Sequence, residues 1–203
     1  MYPTLYEIIS FLKKGDNDII CLQEVNESAK TGFQVSSFKE ELGMNSHFGA
    51  NVVDSDINYG LVTYSRYPIK LEEHIYLSSL NEQRGFLHTV VNIEGKKLNI
   101  INVHLGLGEE REKQLKELNE FIKTLDNQHY ILAGDFNESD IKFNNNILVD
   151  TGDVMNKSNV LTFPNGLERI DYVFVSRSIE VIDYEIPIKN MSDHYPIIVT
   201  LKI

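Results

Sequence analysis

The polar residues that could do chemistry in this chain follow short apolar runs, where a buried strand would end. The run "ILAG" is followed by an acid and an amide two positions apart in "DFN", and polar positions also follow "IICLQ" and "NIINV". With the polar residues of "RIDY" and "SDH", these positions are Glu24, His104, Asp135, Asn137, Asp171, Asp193 and His194. Because strand ends in a layered fold can meet at one rim, where loops commonly carry the chemistry, we expect these side chains to form one site.

The composition of this set predicts a hard divalent cation. Four carboxylates, one amide and two histidines suit Mg²⁺ or Mn²⁺ better than a softer metal. The only cysteine, Cys21, lies in the apolar segment "DIICLQ", which indicates a reduced core thiol and excludes a cysteine-rich zinc site. Together, a hard cation, histidines and amide donors can catalyse the attack of water on a phosphate ester.

Two other kinds of active site find no support in the sequence. Ser192, Asp193 and His194 are adjacent in the chain and cannot face one another as a catalytic triad must, and no G-x-S-x-G turn occurs. No segment has the form GxxxxGK[ST], so nucleotide hydrolysis of that type is not indicated. Metal-dependent hydrolysis of a phosphate ester is therefore the prediction from the residues.

Two helices and a series of short strands must position these residues. "TLYEIISFLKK" has apolar residues at helical spacing before Gly15, and "EEREKQLKELNEFIKTL" has acids in its first turn and an apolar stripe. After a strand at Ile19 to Gln23, further strands are predicted in "GLVTYSRYPI", "GFLHTVVNIEG", "KLNIINVHL", "HYILAGDF", "RIDYVFVS", "IEVIDYEI" and "YPIIVTLKI". Many strands at hairpin spacing with few helices predict an α/β sandwich of two mixed, mainly antiparallel sheets packed face to face with helices outside.

Length and composition are those of one globular domain that spans residues 1–203. Of its 203 residues, 42% are hydrophobic and 24% are charged, and no repeat or linker divides the chain. The formal net charge of −11 means that the average surface repels polyanions, so composition does not predict nonspecific binding of nucleic acid. The sequence has neither a membrane span nor a signal peptide, so we expect a cytoplasmic protein without stable membrane insertion; its oligomeric state is not indicated.

A set of motifs runs in order along the chain from about residue 5 to residue 203. These are "IICLQEV", "YGLVTYSRYPI", "QRGFLHTVV", "NVHLGLGEEREKQ", "LAGDFNE", "TFPNGLERIDYVFVS" and "SDHYPIIVTL". The set resembles the endonuclease/exonuclease/phosphatase superfamily, which contains DNase I-like nucleases, abasic-site endonucleases, neutral sphingomyelinases and inositol polyphosphate 5-phosphatases. The resemblance implies a four-layered, DNase I-like α/β sandwich and a metal-dependent phosphoesterase, most specifically a phosphodiesterase or nuclease. Its substrate would be a small molecule, a lipid headgroup or a nucleic acid.

The resemblance also implies a role for each matching residue of the metal site and its attacking water. Glu24 in "LQE" is similar to the family's main metal-binding glutamate, and Asp193 in "SDH" is similar to the acid that lies by the metal. Asp135 and Asn137 in "GDFN" resemble the pair in which the acid orients or deprotonates the attacking water and the amide holds the phosphate.

The remaining matches concern the substrate phosphate. His194 in "SDH" resembles the histidine that contacts the phosphate, with Asp171 of "RIDY" as its orienting partner. His104 in "VHLG" resembles the second active-site histidine, either a phosphate ligand or a general acid. Arg84 in "QRG" is similar to a position where some members place an arginine against the phosphate, although a surface or salt-bridging arginine is the alternative.

Two further segments are open to interpretation. Arg111 and Gln114 on the second predicted helix are similar to an "HLGL…ER..Q" pattern of one subgroup, but a surface pair three residues apart explains them equally. Thr162, Phe163 and Asn165 precede "RIDY", in a loop that often varies with substrate choice in the family.

One expected element is not found at the start of the sequence. The family normally opens with a strand that ends in an asparagine, "TYN" or "TWN", and contributes to the metal site, whereas this sequence begins at the following helix. We therefore expect a neighbouring strand with an exposed edge and a metal site that lacks one ligand. The alternatives are a start upstream of Met1, strand exchange in a dimer, or a catalytically impaired, phosphate-binding relic of the same fold.

Overall fold

The computed structural model describes residues 3–125, 128–143 and 147–203. In chain order, the helices and strands are α1 (Pro3–Gly15), β1 (Ile19–Ser28), β2 (Gly32–Phe33), α2 (Gln34–Leu42), β3 (Asn45–Asp54), β4 (Ile57–Ser65), β5 (Ile69–Tyr76), β6 (Gly85–Ile93), β7 (Lys96–His104), α3 (Gly108–Lys123), β8 (His129–Asp135), β9 (Leu148–Asp150), α4 (Thr151–Val154), β10 (Asp171–Ser176), β11 (Glu180–Glu185) and β12 (Ile198–Lys202). Among the described helices, none combines the length and the apolar character that a membrane span requires.

The strands form two main sheets and one separate pair. One sheet has four strands in the order β2-β1-β4-β3, the other has six in the order β5-β6-β7-β8-β10-β9, and β11 pairs with β12. Neighbouring strands are antiparallel except β7 and β8, which are parallel and are joined through helix α3. This is the predicted α/β sandwich with two mixed, mainly antiparallel sheets.

Three apolar clusters hold the layers together. Leu5 and Ile9 of α1 pack with α2 on the outer face of the four-stranded sheet. Leu118 and Ile122 of α3 pack on the outer face of the six-stranded sheet. A third cluster joins the two sheets through the inner residues of β7, β8 and β10, and the partly buried Cys21 packs against it, as predicted for a core thiol. The order is therefore helix, sheet, sheet, helix, which confirms the four layers.

Helix α3 also buries two polar side chains at its amino-terminal end. The four buried residues of the helix, Glu110, Gln114, Leu118 and Ile122, recur every fourth position and so form one stripe. Gln114 accepts a hydrogen bond from the backbone N–H of Gly106 at 2.6 Å, and its Nε2 donates to the carbonyl oxygen of Ser78 at 3.0 Å. Gln114 is therefore an internal brace between two loops and not part of an exposed surface pair.

A cleft of about 1030 Å³ lies between β1 and β12. On one side β1 pairs with β4; on its other side its described partner is β2, which reaches only Glu27 and Ser28. In the described part of the chain, β12 pairs only with β11. Helix α1 and the residues Glu24 and His194 also line this cleft, so it extends from the helical layer to the rim where the polar residues lie.

Candidate active site

Strands β6, β7, β8 and β10 of the six-stranded sheet begin or end side by side at one rim. Gly85 at the start of β6 is opposite His104 at the end of β7, and His104 is beside Asp135 at the end of β8. Asp135 is in turn opposite Asp171 at the start of β10. The sheet register therefore places three of the predicted site residues in one row.

The close approach of β7 and β8 at this rim depends on Gly134. Its φ of 147° is in a region that favours glycine, and a Cβ there would lie 1.9 Å from the carbonyl oxygen of Val103. Any larger residue at position 134 would push the two strands apart and separate His104 from Asp135. The glycine of "AGDFN" is thus part of what positions the site.

The chain then turns so that the acid and the amide face the rim while Phe136 is buried. Asn137 has a φ of 51°, and its backbone N–H donates to the Asp135 carboxylate at 2.7 Å. The side-chain Nδ2 of Asn137 donates to the carbonyl oxygen of Leu105 at 2.8 Å. Phe136 is fully buried in the cluster under α3, although β8 ends at Asp135 and Asn137 lies in the turn that follows.

His104 is held as a neutral imidazole. Its Nδ1 accepts a hydrogen bond from the guanidinium of Arg84 at 3.0 Å, because an arginine can only donate. Burial, together with the positive charges of Arg84 and His194, lowers the pKa of His104 to about 3. Because a neutral imidazole that accepts at Nδ1 carries its proton on Nε2, this Nε2–H lies 3.5 Å from Asp135 and 4.0 Å from Glu24. Nδ2 of Asn137 is 3.3 Å from the same nitrogen, and in this tautomer the two N–H groups approach each other without a hydrogen bond. This state suits a hydrogen-bond donor to phosphate and does not suit a general acid.

His194 is in the opposite state. Burial by itself would lower its pKa, but the hydrogen bond of 2.8 Å from Nδ1 to the Asp171 carboxylate and the nearby charges of Asp171, Asp135 and Asp193 raise the pKa to about 9. His194 is therefore an imidazolium at neutral pH, with Nε2 available as a charged donor. The Asp171 carboxylate accepts this hydrogen bond and so fixes which ring nitrogen faces it.

Thr162 and Phe163, in the loop that precedes β10, lie against the Asp171–His194 pair. The hydroxyl oxygen of Thr162 accepts a hydrogen bond from the backbone N–H of Asp171 at 3.1 Å. The carbonyl oxygen of Thr162 accepts a second one from the backbone N–H of Tyr195 at 2.7 Å. The ring of Phe163 lies against His194 with centroids 4.9 Å apart. The sequence placed both residues in a loop that varies with substrate, and the structure also gives them a part in orienting Asp171 and His194.

Asp135 lies in the most acidic part of the row. Burial and the charge of Asp171 raise its pKa to about 7, against the hydrogen bond that it accepts from the N–H of Asn137. In the described part of the chain, Asp135, Asp171 and His194 have ligand atoms that all lie within 4.8 Å of one another. A divalent cation would offset the repulsion between these carboxylates, and their oxygens are the donors that Mg²⁺ and Mn²⁺ prefer. The residues present therefore fit a hard cation.

The two residues predicted to bind the metal occupy different positions at the rim. Glu24 reaches the site from the other sheet; its side chain is 62% exposed, and its carboxylate is 4.0 Å from Nε2 of His104, the same nitrogen that lies 3.5 Å from Asp135. Asp193 is exposed and accepts a hydrogen bond from the hydroxyl of Ser192 at 3.2 Å. Glu24 is thus close to the other polar residues, whereas no described side-chain contact joins Asp193 to Glu24.

Two arginines brace the site from outside. Arg84, besides its contact with His104, forms an ion pair with Glu82 at 2.6 Å, which corresponds to the salt-bridging alternative. Its Nε is buried and has no hydrogen-bond partner among the described residues. Arg111 of α3 donates to the carbonyl oxygen of Asn137 at 2.6 Å and pairs with Glu138, so it holds the segment after Asp135.

Sequence reasoning missed two polar residues behind the site, Gln23 and Asn102. Asn102 is fully buried between the sheets, and its Oδ1 accepts a hydrogen bond from Gln23 at 2.7 Å. One signal for Asn102 was present, because an amide in the middle of the apolar strand "NIINVHL" must find a partner in the core. The sequence could not indicate that the partner is Gln23.

Comparison with known proteins identifies the family of this chain. The model of the Endonuclease/Exonuclease/phosphatase family matches residues 5–194. Zebrafish (D. rerio) TDP2, solved in complex with a single-stranded DNA product, is 19% identical, with a TM-score of 0.81 over 98% of this chain and 92% of that chain. The mannosyl-6-phosphatase Bt3783 of Bacteroides thetaiotaomicron is 20% identical, with a TM-score of 0.75 over 98% of this chain and 91% of that chain.

A third solved structure differs in length. The endonuclease/exonuclease/phosphatase of Beutenbergia cavernae is 18% identical, with a TM-score of 0.79, and the match covers 98% of this chain but 66% of that chain. No curated protein sequence matches this chain significantly. At these identities the likeness to solved structures concerns the fold, while the family model covers most of the chain.

Proposed function

This chain belongs to the endonuclease/exonuclease/phosphatase family, and we propose that it is a divalent-metal-dependent phosphodiesterase that cleaves its substrate with an activated water. The observation that carries the proposal is the row at the rim. There the Asp135 carboxyl, with a pKa of about 7, lies between a neutral His104 and a protonated His194. A base with a pKa near the operating pH is the most efficient proton acceptor.

Each side chain of the row has a distinct part in the proposed reaction. Asp135 accepts the proton of the attacking water. Nε2–H of His104 and the amide of Asn137 donate hydrogen bonds to phosphoryl oxygens. The imidazolium of His194, oriented by Asp171, stabilises the negative charge that develops on the phosphate and can release its proton as the ester oxygen leaves.

Carboxylates at the rim would hold Mg²⁺ or Mn²⁺. Glu24 is proposed as the main ligand, with Asp193 at the same metal, and Asp171 would provide a further oxygen donor, which leaves Asp135 to act on the water. His194 is the weaker candidate ligand, because Nδ1 is bonded to Asp171 and a protonated imidazole cannot bind a metal. When bound, the cation supplies positive charge to the phosphoryl oxygens.

The charge of the site favours a diester over a monoester. A phosphomonoester carries a charge of about −1.5 to −2 at pH 7 and is repelled by the acidic rim more strongly than a singly charged diester. The formal net charge of −11 further favours a small or lipid-derived diester, or a nucleic acid gripped locally, over broad contact with duplex DNA. A nuclease would cleave plasmid DNA and a phosphatase would cleave a phosphomonoester, so an assay with both substrates separates these alternatives.

The test is turnover of three substrates: bis-p-nitrophenyl phosphate, p-nitrophenyl phosphate and plasmid DNA. Each is incubated with Mg²⁺, Mn²⁺ or EDTA, beside the variants Glu24→Gln and His194→Gln. The matched controls are Glu27→Gln, on the same strand as Glu24, and His129→Gln, whose ring contacts Ser178 away from the rim. We expect diester turnover that requires the metal and is lost only in the two site variants. Turnover that persists in EDTA or in both site variants would overturn the proposal.

The cleft between β1 and β12 supports a second candidate, a phosphate-binding protein without turnover. Glu24 lines this cleft and its side chain is largely exposed, so the proposed metal has few described ligands on that side. One further strand in the cleft would have the edges of β1 and β12 as pairing partners, and it would lie near Glu24, where it could supply another ligand. Binding of Mn²⁺ and phosphate without turnover would favour this candidate.

A strand added to the chain separates the two candidates further. Seven residues that alternate apolar and polar side chains and end in Tyr-Asn are placed before α1, and the control is the same extension with two prolines, which cannot pair in a sheet. Turnover that appears only with the pairing extension would mean that the protein is active when the cleft is filled.

A further inference from the structure

Strand β1 changes its register with β4 directly before Glu24. Leu22 is opposite position 62 and Val25 is opposite position 60, so Gln23 and Glu24 together face a single residue of β4. Glu24 itself has a φ of 58°, in the left-handed region that residues other than glycine seldom adopt. Such a bulge bends a strand and redirects a side chain. Here the Glu24 carboxylate lies 4.0 Å from Nε2 of His104, on the facing sheet.

The side chain of Asn102 reaches this bulge from the facing sheet. Asn102 is on β7 and is 0% exposed. Its Nδ2 donates to the carbonyl oxygens of Leu22 at 3.2 Å and Val62 at 3.0 Å, and its Oδ1 accepts from Nε2 of Gln23 at 2.7 Å. One amide thus contacts both strands at the change of register and the residue adjacent to Glu24.

We infer that Asn102 is a positioning residue for Glu24. It maintains the bulge that presents the Glu24 carboxylate beside His104, and through that carboxylate it sets the affinity of the site for its divalent cation. The inference rests on the proposed function, in which Glu24 binds the metal. Asn102 is fully buried behind the rim and acts through Glu24.

The physical reason is the cost of unpaired polar groups. Without the Asn102 amide, the carbonyl oxygens of Leu22 and Val62 and the side chain of Gln23 would lose these hydrogen bonds, and Val62 is fully buried. The strand would recover them by moving β1 relative to β4, and this movement would release Glu24 from its left-handed conformation. Residues that orient metal ligands typically change metal affinity or activity by about 10–100-fold when they are replaced.

Asn99 provides a matched control on the same strand. It is also an asparagine of β7 with 0% exposure, and it makes three hydrogen bonds, to His88, Gln128 and the carbonyl oxygen of His129. Those partners lie at the opposite end of β7 from His104, and none of them belongs to β1. Replacement of Asn99 therefore removes a buried amide network of the same kind without touching the bulge.

The experiment compares Asn102→Leu with Asn99→Leu, each alone and combined with Glu24→Gln. The dissociation constant for Mn²⁺ is measured by calorimetry, and kcat and KM are measured with bis-p-nitrophenyl phosphate. We expect Asn102→Leu to weaken Mn²⁺ binding by about 10–100-fold, and Asn99→Leu to leave it unchanged while lowering the melting temperature similarly. In the Glu24→Gln background, Asn102→Leu should have no further effect, because both changes remove the same interaction.

Three outcomes distinguish this inference from the proposed function. If wild-type protein binds Mn²⁺ and turns over the diester but Asn102→Leu behaves like Asn99→Leu, the inference fails and the proposed function stands. If Asn102→Leu does not fold, Gln23→Met removes one contact of the bulge and should give a smaller loss of Mn²⁺ affinity. If wild-type protein binds no metal, a crystal structure of Asn102→Leu decides, since an unchanged left-handed Glu24 would overturn the inference.

Discussion

The guanidinium of Arg84 donates a hydrogen bond to Nδ1 of His104 at 3.0 Å, and this contact determines which ring nitrogen carries the proton. The second histidine of the site has the reverse arrangement, because His194 bonds through Nδ1 to the acceptor Asp171. One ring is therefore neutral and the other is charged, although both belong to the same rim. Several expected outcomes depend on this difference.

Nuclear magnetic resonance of the imidazole nitrogens should detect the neutral state of His104 directly. We expect the Nε2–H tautomer across pH 5 to 8, because burial and the charge of Arg84 keep its pKa near 3. In Arg84→Met the pKa should rise, and the preference for one tautomer should weaken. A wild-type His104 with its proton on Nδ1 would contradict this assignment.

Asp171→Asn should lower kcat by about 10²–10⁴-fold, the range typical for loss of general acid–base catalysis. An asparagine at this position cannot stabilise the imidazolium of His194, and its amide would favour the wrong tautomer of the ring. The measurement is diester turnover at saturating Mg²⁺. The control is Asp183→Asn, an exposed acid of β11, and a similar loss of kcat in both variants would argue against the His194–Asp171 pair.

Divalent cations should stabilise the folded protein through Glu24. At a Mn²⁺ concentration 100 times the dissociation constant, the free energy of unfolding should rise by about 2.7 kcal/mol, because the folded state alone binds the ion. Urea unfolding with and without the ion measures this change. Glu24→Gln should lose most of the stabilisation and Glu27→Gln should keep it; equal stabilisation of both variants would place the ion elsewhere.

The loss of folding stability at low pH should arise partly from His47, which lies between the two sheets. Its Nδ1 is 2.7 Å from the hydroxyl of Thr89, and burial, with the charges of His74 and His88, lowers its pKa to about 4. Below about pH 6.5, His47 of the unfolded chain binds a proton, whereas His47 of the folded protein stays neutral until about pH 4. The contribution of His47 to the free energy of unfolding is therefore complete above pH 6.5 and decreases as the pH falls towards 4. The slope from this one group is at most about 1.4 kcal/mol per pH unit.

His47→Gln should flatten the loss of stability between pH 6.5 and 4, because a glutamine can still bond to Thr89 and does not titrate. Urea unfolding at several pH values gives the slope. His129→Gln, at the start of β8 and away from the inter-sheet core, should leave the slope unchanged. An unchanged slope in His47→Gln would mean that other groups dominate the acid transition.

Phe136 should be essential both for stability and for the geometry of its neighbours. It is 0% exposed, and its ring packs edge-on against Tyr172 and Phe174 with centroids 5.5 Å away in each case. Phe136→Ala should cost about 3–5 kcal/mol of unfolding free energy, as measured in urea. The control is Phe33→Ala, at an exposed position, which should change the free energy of unfolding by less than about 0.5 kcal/mol. If Phe136→Ala had an equally small effect, the packing of Phe136 would be contradicted.

Local patterns predicted the elements whose periodicity is strong. The apolar stripe of α3 and the β-rich runs of β7, β8 and β10 indicated these elements, because side-chain spacing is a property of the chain alone. Helix α2 and strands β3 and β5 were missed. Only Val35 and Phe38 of α2 are buried, and β5 is an edge strand with several exposed charges, so neither has a clear pattern.

The amino-acid sequence by itself determined which side chains were available, the order of the motifs and the family, because these are read along the chain. Only the tertiary structure decided the register that aligns His104, Asp135 and Asp171, and with it the different charge states of the two histidines, one neutral and one positive. A pKa depends on burial and on neighbouring charges, and both are created by the packing of strands that are distant in sequence. For the same reason the contact between Gln23 and Asn102, 79 positions apart, was invisible until the two sheets faced each other.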